Sequence, residues 1–194
     1  MKTSPPPGRR KFASDWDEIE YLYHKLLYWL YRREDVGKAR SYADRLERLL
    51  RQAAPNHQAI LGEECWSLVH ETRGNLRKAI EHRENEIHLI RRLHQMARNA
   101  PQAEHLLKDY GYEALSDRLD LLATLYHDSG DLENAIRALE ESQQLCDAQR
   151  ITFDGKDLLD EYLGEKRSLF DARKRSQPRA SASVWRTKSS PRHS

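Results

Sequence analysis

From Ile19 to Phe170 the apolar residues recur at i, i+3, i+4 and i+7, and no stretch alternates convincingly at period two. That rhythm puts one apolar stripe on each of a series of helices and leaves no half-buried strand. Composition agrees. Eight glycines and seven prolines in 194 residues is sparse for a β-rich or doubly wound chain. The mean hydropathy is -0.91, and no apolar run approaches the ~20 residues of a spanning helix, which excludes a helical membrane protein. The reading is an all-α fold.

Local signals divide the pattern into about seven to eight helices. Ser14 with Asp17 forms a capping box ahead of Ile19, Tyr23, Leu26 and Leu30. Asp35 opens the second helix, through Ala39, Ala43, Leu46 and Leu50, and Asn56 opens the third, with Ile60, Cys65, Trp66 and Val69. Gly74 stands where a left-handed residue closes that helix, and Asn75 starts a long fourth one reaching about Asn99. Ala103, Leu106 and Leu107 suggest a short fifth helix closed near Gly111. A sixth carries Leu115, Leu119, Leu122 and Tyr126 and stops at Gly130. Asp131 caps the seventh, and Asp154 with Asp157 starts an eighth, whose stripe from Leu158 to Phe170 is expected to pack on the seventh and close the stack.

Charge divides the chain differently. Residues 1–13 and 174–194 are basic, rich in Pro and Ser, and poor in apolar side chains, so both are read as disordered segments flanking a helical domain over 14–173. The body between them is net acidic although the whole chain is +2. Cys65 and Cys146 are too few for a disulfide framework and fall inside helical patterns. The amino terminus has no apolar signal region, so a cytoplasmic location is the default expectation.

Three turns resemble one another. Gly130-Asp131 followed by Ala135-Ile136 matches Gly74-Asn75 followed by Ala79-Ile80, and Asp35 with Ala39 repeats the pattern without the glycine. With Ala123 and Tyr126 in the preceding helix, this resembles the tetratricopeptide repeat over roughly residues 20–150. The resemblance implies antiparallel helical hairpins stacked as an α-solenoid, in which Gly74, Ala79, Tyr126, Gly130 and Ala135 are structural. Ala39, Ala79 and Ala135 are spaced wider than the family's 34-residue period, so the helices are long and 99–116 reads as an insertion.

No phosphate loop, HExxH, GxSxG or CxxC occurs. Glu20–His24 and His82–Glu86 stand at ligand spacing, yet solvated surface pairs explain them better. No catalytic, cofactor or metal residue is assigned, and the chain reads as non-enzymatic. In the resembled family the first helices of successive repeats line a concave groove. Carried over, its positions are Tyr21, His24, Tyr28, Tyr31 and Arg32, then Leu61, Glu64, Leu68, Glu71 and Thr72, then Asp117, Asp120, Thr124, His127 and Asp128. Chaperone-binding members hold a C-terminal carboxylate with Lys and Asn at these places, whereas Tyr, His, Glu and Asp here suit a basic, Arg-containing peptide with an apolar anchor. The expected function is therefore an adaptor or scaffold docking a protein segment. The alternative is nucleic-acid association through the Arg/Lys-rich ends. The C-terminal segment, with Trp185, is itself a candidate competitor for the acidic groove.

Overall fold

The computed structural model describes residues 12–52, 59–99 and 107–176. Among them lie seven α-helices and no strand: α1 (Asp15–Leu27), α2 (Val36–Gln52), α3 (Ala59–Thr72), α4 (Leu76–Asn99), α5 (Tyr112–Asp128), α6 (Leu132–Gln149) and α7 (Lys156–Ser176). A π-helical turn, Tyr28–Arg32, extends α1. Each helix packs chiefly on its neighbours in the chain, most extensively in the pairs α1–α2, α3–α4 and α5–α6.

The helix ends follow from their sequences. Ser14 Oγ accepts from Asp17 N at 3.2 Å while Asp17 Oδ2 accepts from Ser14 N at 2.9 Å, the expected capping box. Asp35 Oδ1 accepts from Lys38 N at 3.0 Å, and Asp131 Oδ1 from Asn134 N at 3.2 Å. Asn56 lies outside the described residues, as do Ala103 and Leu106 of the expected fifth helix. Leu107 belongs instead to a turn before Gly111, its carbonyl accepting from Tyr110 N at 3.2 Å. The expected sixth, seventh and eighth helices are thus α5, α6 and α7. α7 runs through Ser176, past the boundary at residue 173 that the charge pattern suggests.

The three similar turns share one backbone course. Gly74 and Gly130 have φ of 73° and 84°, and Asn75 N and Asp131 N each reach back five residues, to His70 O at 2.9 Å and Tyr126 O at 2.8 Å. In the turn that lacks glycine, Glu34 occupies the equivalent place before Asp35 and takes the same left-handed conformation, φ 51°. There Asp35 N reaches back six residues, to Trp29 O at 3.0 Å. The π turn accommodates that additional residue by widening the last coil of α1. Ala39, Ala79 and Ala135 sit at one position after the three turns. Each donates its N–H to the cap residue's carbonyl at 2.9–3.0 Å, and each is fully buried. Glu34→Gly should raise stability by about 0.5–1 kcal/mol, because the left-handed conformation strains an L-residue more than glycine's added chain entropy offsets. A urea midpoint that stays put or falls would show that Glu34 is unstrained.

The buried apolar residues form three clusters in succession along the chain. Ile19, Leu22 and Leu26 of α1 meet Ala43 and Leu46 of α2 and Leu68 and Val69 of α3. Ile87 and Ile90 of α4 meet Leu115, Leu119 and Leu122 of α5. Ala123, Ala135, Ile136 and Leu139 then pack against Leu159 and Tyr162 of α7. The stripe expected on the last helix is only partly used, since Leu169 and Phe170 are 50% and 58% exposed.

Candidate interaction groove

α1, α3 and α5 are the first members of the three hairpin pairs and carry the residues expected to face a ligand. Their closest joint is polar and buried. Arg118 of α5 donates from Nη2 to Glu64 Oε1 at 2.8 Å and from Nε to Glu86 Oε1 at 3.1 Å. Tyr23 Oη of α1 donates to Glu64, and Arg83 Nη1 donates to Glu86 Oε2. Two carboxylates and two guanidiniums thus tie α1, α3, α4 and α5 together. Glu86 is fully buried, Arg83 is 3% exposed and Glu64 6%. Burial raises the Glu86 pKa, and the guanidinium of Arg83 opposes the rise. Tyr110, beside the network, is pushed up to about 12 by burial and then by Glu64 and Glu86. The Cys65 thiol is raised by burial and by the same two carboxylates, an environment opposite to that of a reactive cysteine.

The expected groove residues divide into three sets. Glu64, Leu68 and Thr72 are buried, Glu64 in the network above and Thr72 with its hydroxyl donating to Leu68 O at 2.8 Å. Those three are core in this structure, because the neighbouring helices approach closely enough to cover them. Leu61 is half-buried in the same cluster.

A second set forms a rim. Tyr31, half exposed on the π turn, donates its hydroxyl to Glu71 of α3. Burial raises the Glu71 pKa, and Asp128 of α5 adds to the rise against the opposing bond from Tyr31 and the charge of Arg83. Tyr31 and Glu71 therefore join the π turn to the end of α3, and the charge of Asp128, the last residue of α5, acts on both. Beside them His127 stacks on Tyr162 of α7, with centroids 4.2 Å apart and planes at 5°, and its Nε2 lies 2.9 Å from Glu165 Oε2.

The third set makes other contacts. Tyr21 packs against Phe12 at 5.4 Å with Lys25 Nζ 5.6 Å above its ring, and His24 is exposed beside Glu20 at 3.9 Å. Tyr28 turns to Arg33, whose Nε donates to its hydroxyl at 2.7 Å, and Arg32 is exposed. Asp117 borders a cleft of about 250 Å³ with Glu113, Ser116, Thr152 and Asp154. Burial, then Asp154 and Glu113, raises its pKa against Arg118. Asp120 is half-buried next to it, and Thr124 donates to Asp120 O at 3.2 Å. The C-terminal segment with Trp185 lies outside the described residues.

The sequence places Tyr23 only on an apolar stripe and Glu86 only in a metal-spaced pair, and it does not single out Arg83 and Arg118, so the network itself goes unread. The signal was present in α4, where Arg83 and Glu86 share the register of Ala79, Ile87 and Ile90. A charge at a core-face position asks for a buried partner. Of the metal-spaced pairs, His82 bonds Glu63 through Nδ1 at 2.8 Å and Glu86 turns inward, so that pair does not form. Among the described residues no group of three or more His, Cys, Asp or Glu side chains could hold a metal ion, and no helix is long and apolar enough to cross a membrane.

No protein-family model matches the chain, and no curated protein or solved structure shows significant similarity to it.

Proposed function

We propose that the chain is a non-enzymatic adaptor of tetratricopeptide-like hairpins stacked as a solenoid, which docks a basic, Arg-containing protein segment on its inner helices. The repeat reading is supported by the equivalent turns at Glu34, Gly74 and Gly130 and by the buried alanines four residues after each cap. One observation carries the docking reading: the half-exposed Tyr31 donates its hydroxyl to Glu71, and the charge of Asp128 acts on both. A guanidinium can stack on the ring and pair with the carboxylates together. The ligand site is therefore narrower than the groove expected from sequence, with Asp117 and Asp120 as a separate acidic stretch along α5.

The test is fluorescence anisotropy with a labelled dodecamer containing four arginines and two leucines, against a version with lysines for arginines. The arginine peptide should bind the full chain more tightly, and Glu71→Gln with Asp128→Asn should weaken it at least tenfold. Equal binding by the double variant would place the ligand elsewhere.

A further inference from the structure

The net acidity of the body conceals a division of charge by helix. α1, α3 and α5 carry eleven Asp and Glu between them against Lys25 and Arg118. α2 carries five Lys and Arg against Asp44 and Glu47, and α4 carries six against Glu81, Glu84 and Glu86. Part of this serves neighbouring helices: Arg45 pairs with Glu18, Arg73 with Asp44 and Glu47, and Arg91 with Glu141. A remainder does not. Among the described residues Arg40, Arg77, Lys78 and Arg92 make no ion pair, Arg48 donates only to Asp44 O, and all five are exposed. On α4 Glu81 and Glu84 are both exposed without an ion pair, Glu84 accepting from Tyr126, and Glu86 is buried.

Between the two helices lies a π surface. Arg51 of α2 sits 5.8 Å above Trp66 of α3, and Trp66, His70 and His82 stack pairwise at 5.3–5.9 Å with planes within 22°. All three rings are half-buried. The carboxylates closest to this stack are already occupied: Arg73 and Arg51 hold the Glu47 carboxyl down at about 2, and Glu63 bonds His82.

We infer that the outer face of α2 and α4 binds single-stranded nucleic acid, with Arg40, Arg48, Lys78 and Arg92 on phosphates and the Trp66–His70–His82 stack against a base. Arginine dominates the unpaired set, and its fork matches phosphate oxygens. A ring stack between cationic rows suits bases, whereas an acidic peptide would use the charges alone. This surface is distinct from the rim of Tyr31, Glu71 and Asp128 and does not depend on that reading.

The probe is a fluorescein-labelled 12-nucleotide RNA of mixed sequence, titrated with the full chain at 50 and 200 mM salt. Four phosphate contacts on a single strand imply roughly a 50-fold loss of affinity between those conditions. Arg40→Gln, Arg48→Gln, Lys78→Gln and Arg92→Gln together should weaken binding at 50 mM salt at least tenfold and flatten the salt slope. The milder pair Arg48→Glu and Arg92→Glu, checked by circular dichroism, should act in the same direction if the fourfold variant folds poorly. A third variant, with Arg179, Arg186, Lys188 and Arg192 changed to Gln, should keep most of the affinity. Undiminished binding by the body variants would assign the RNA to the chain ends and overturn the inference. A twelve-residue glutamate peptide that displaces the RNA at equal charge would overturn it too, in favour of an acidic protein partner.

Discussion

Replacing Arg118 by Met should lower the unfolding free energy by about 3–5 kcal/mol, the largest loss expected from any one side chain in this protein. Arg118 is the only residue bonded to both Glu64 and Glu86 among the described residues, and its side chain is 18% exposed. Its removal leaves Glu86 with Arg83 and Glu64 with a phenol, each carboxylate away from water. Changing Glu64 and Glu86 to Gln in the same chain should recover much of the loss, since neutral amides cost far less to bury than unpaired charges. Urea denaturation of the parent and the two variants checks this. A single variant within 1 kcal/mol of the parent, or a triple variant no better than the single one, would show that the network does not hold α3, α4 and α5 together.

Gly155→Val is expected to cost about 2–3 kcal/mol, near the upper end for overpacking. Gly155 is buried, and a Cβ there would stand 2.8 Å from Phe153 Cε2, 2.9 Å from Asp120 Oδ1 and 2.9 Å from Leu139 Cδ2. Leu139 is itself fully buried and cannot withdraw without opening the core it shares with Ala135 and Tyr162. The start of α7 should therefore lift from α5 and α6, separating Tyr162 from His127. Hydrogen exchange resolves this: α7 amides should lose protection while those of α1 to α3 keep theirs. An unchanged thermal midpoint would mean that Phe153 and Asp120 move aside freely.

Neither Arg118 nor Gly155 is singled out by the sequence patterns, and the reason lies in what one-dimensional patterns encode. Helix identity is local. The 3.6-residue rhythm, the Ser14–Asp17 box, the Asp131 cap and the glycines before Asn75 and Asp131 each act within a few residues of themselves, so the helices and their ends could be read directly. The alanine positions were legible for the same cause, since a small residue fixed four places after a cap implies a close helix crossing.

Which charge meets which is not local. Tyr23 and Glu64 are 41 residues apart, and Arg118 and Glu64 are 54 apart. Their pairing depends on how α1, α3 and α5 lie side by side, which no spacing within one helix records. The same dependence moved Glu64 from the expected groove into the core and paired Tyr31 with Glu71. It also hid the sorting of charge between α1, α3 and α5 and the helices α2 and α4, because a sum over the whole body cancels it. The first turn shows both halves together. Its sequence lacks the glycine, yet the chain must still reverse, so the backbone takes the left-handed conformation at Glu34 and a π turn before it. The seven helices seen here, the capping box at Ser14, the Asp131 cap and the turns at Gly74 and Gly130 follow from forces that act over single turns, so they are legible in the residues. Which faces become core and which stay charged depends on burial and ion pairing with neighbours tens of residues away, so only the packed helices settle it.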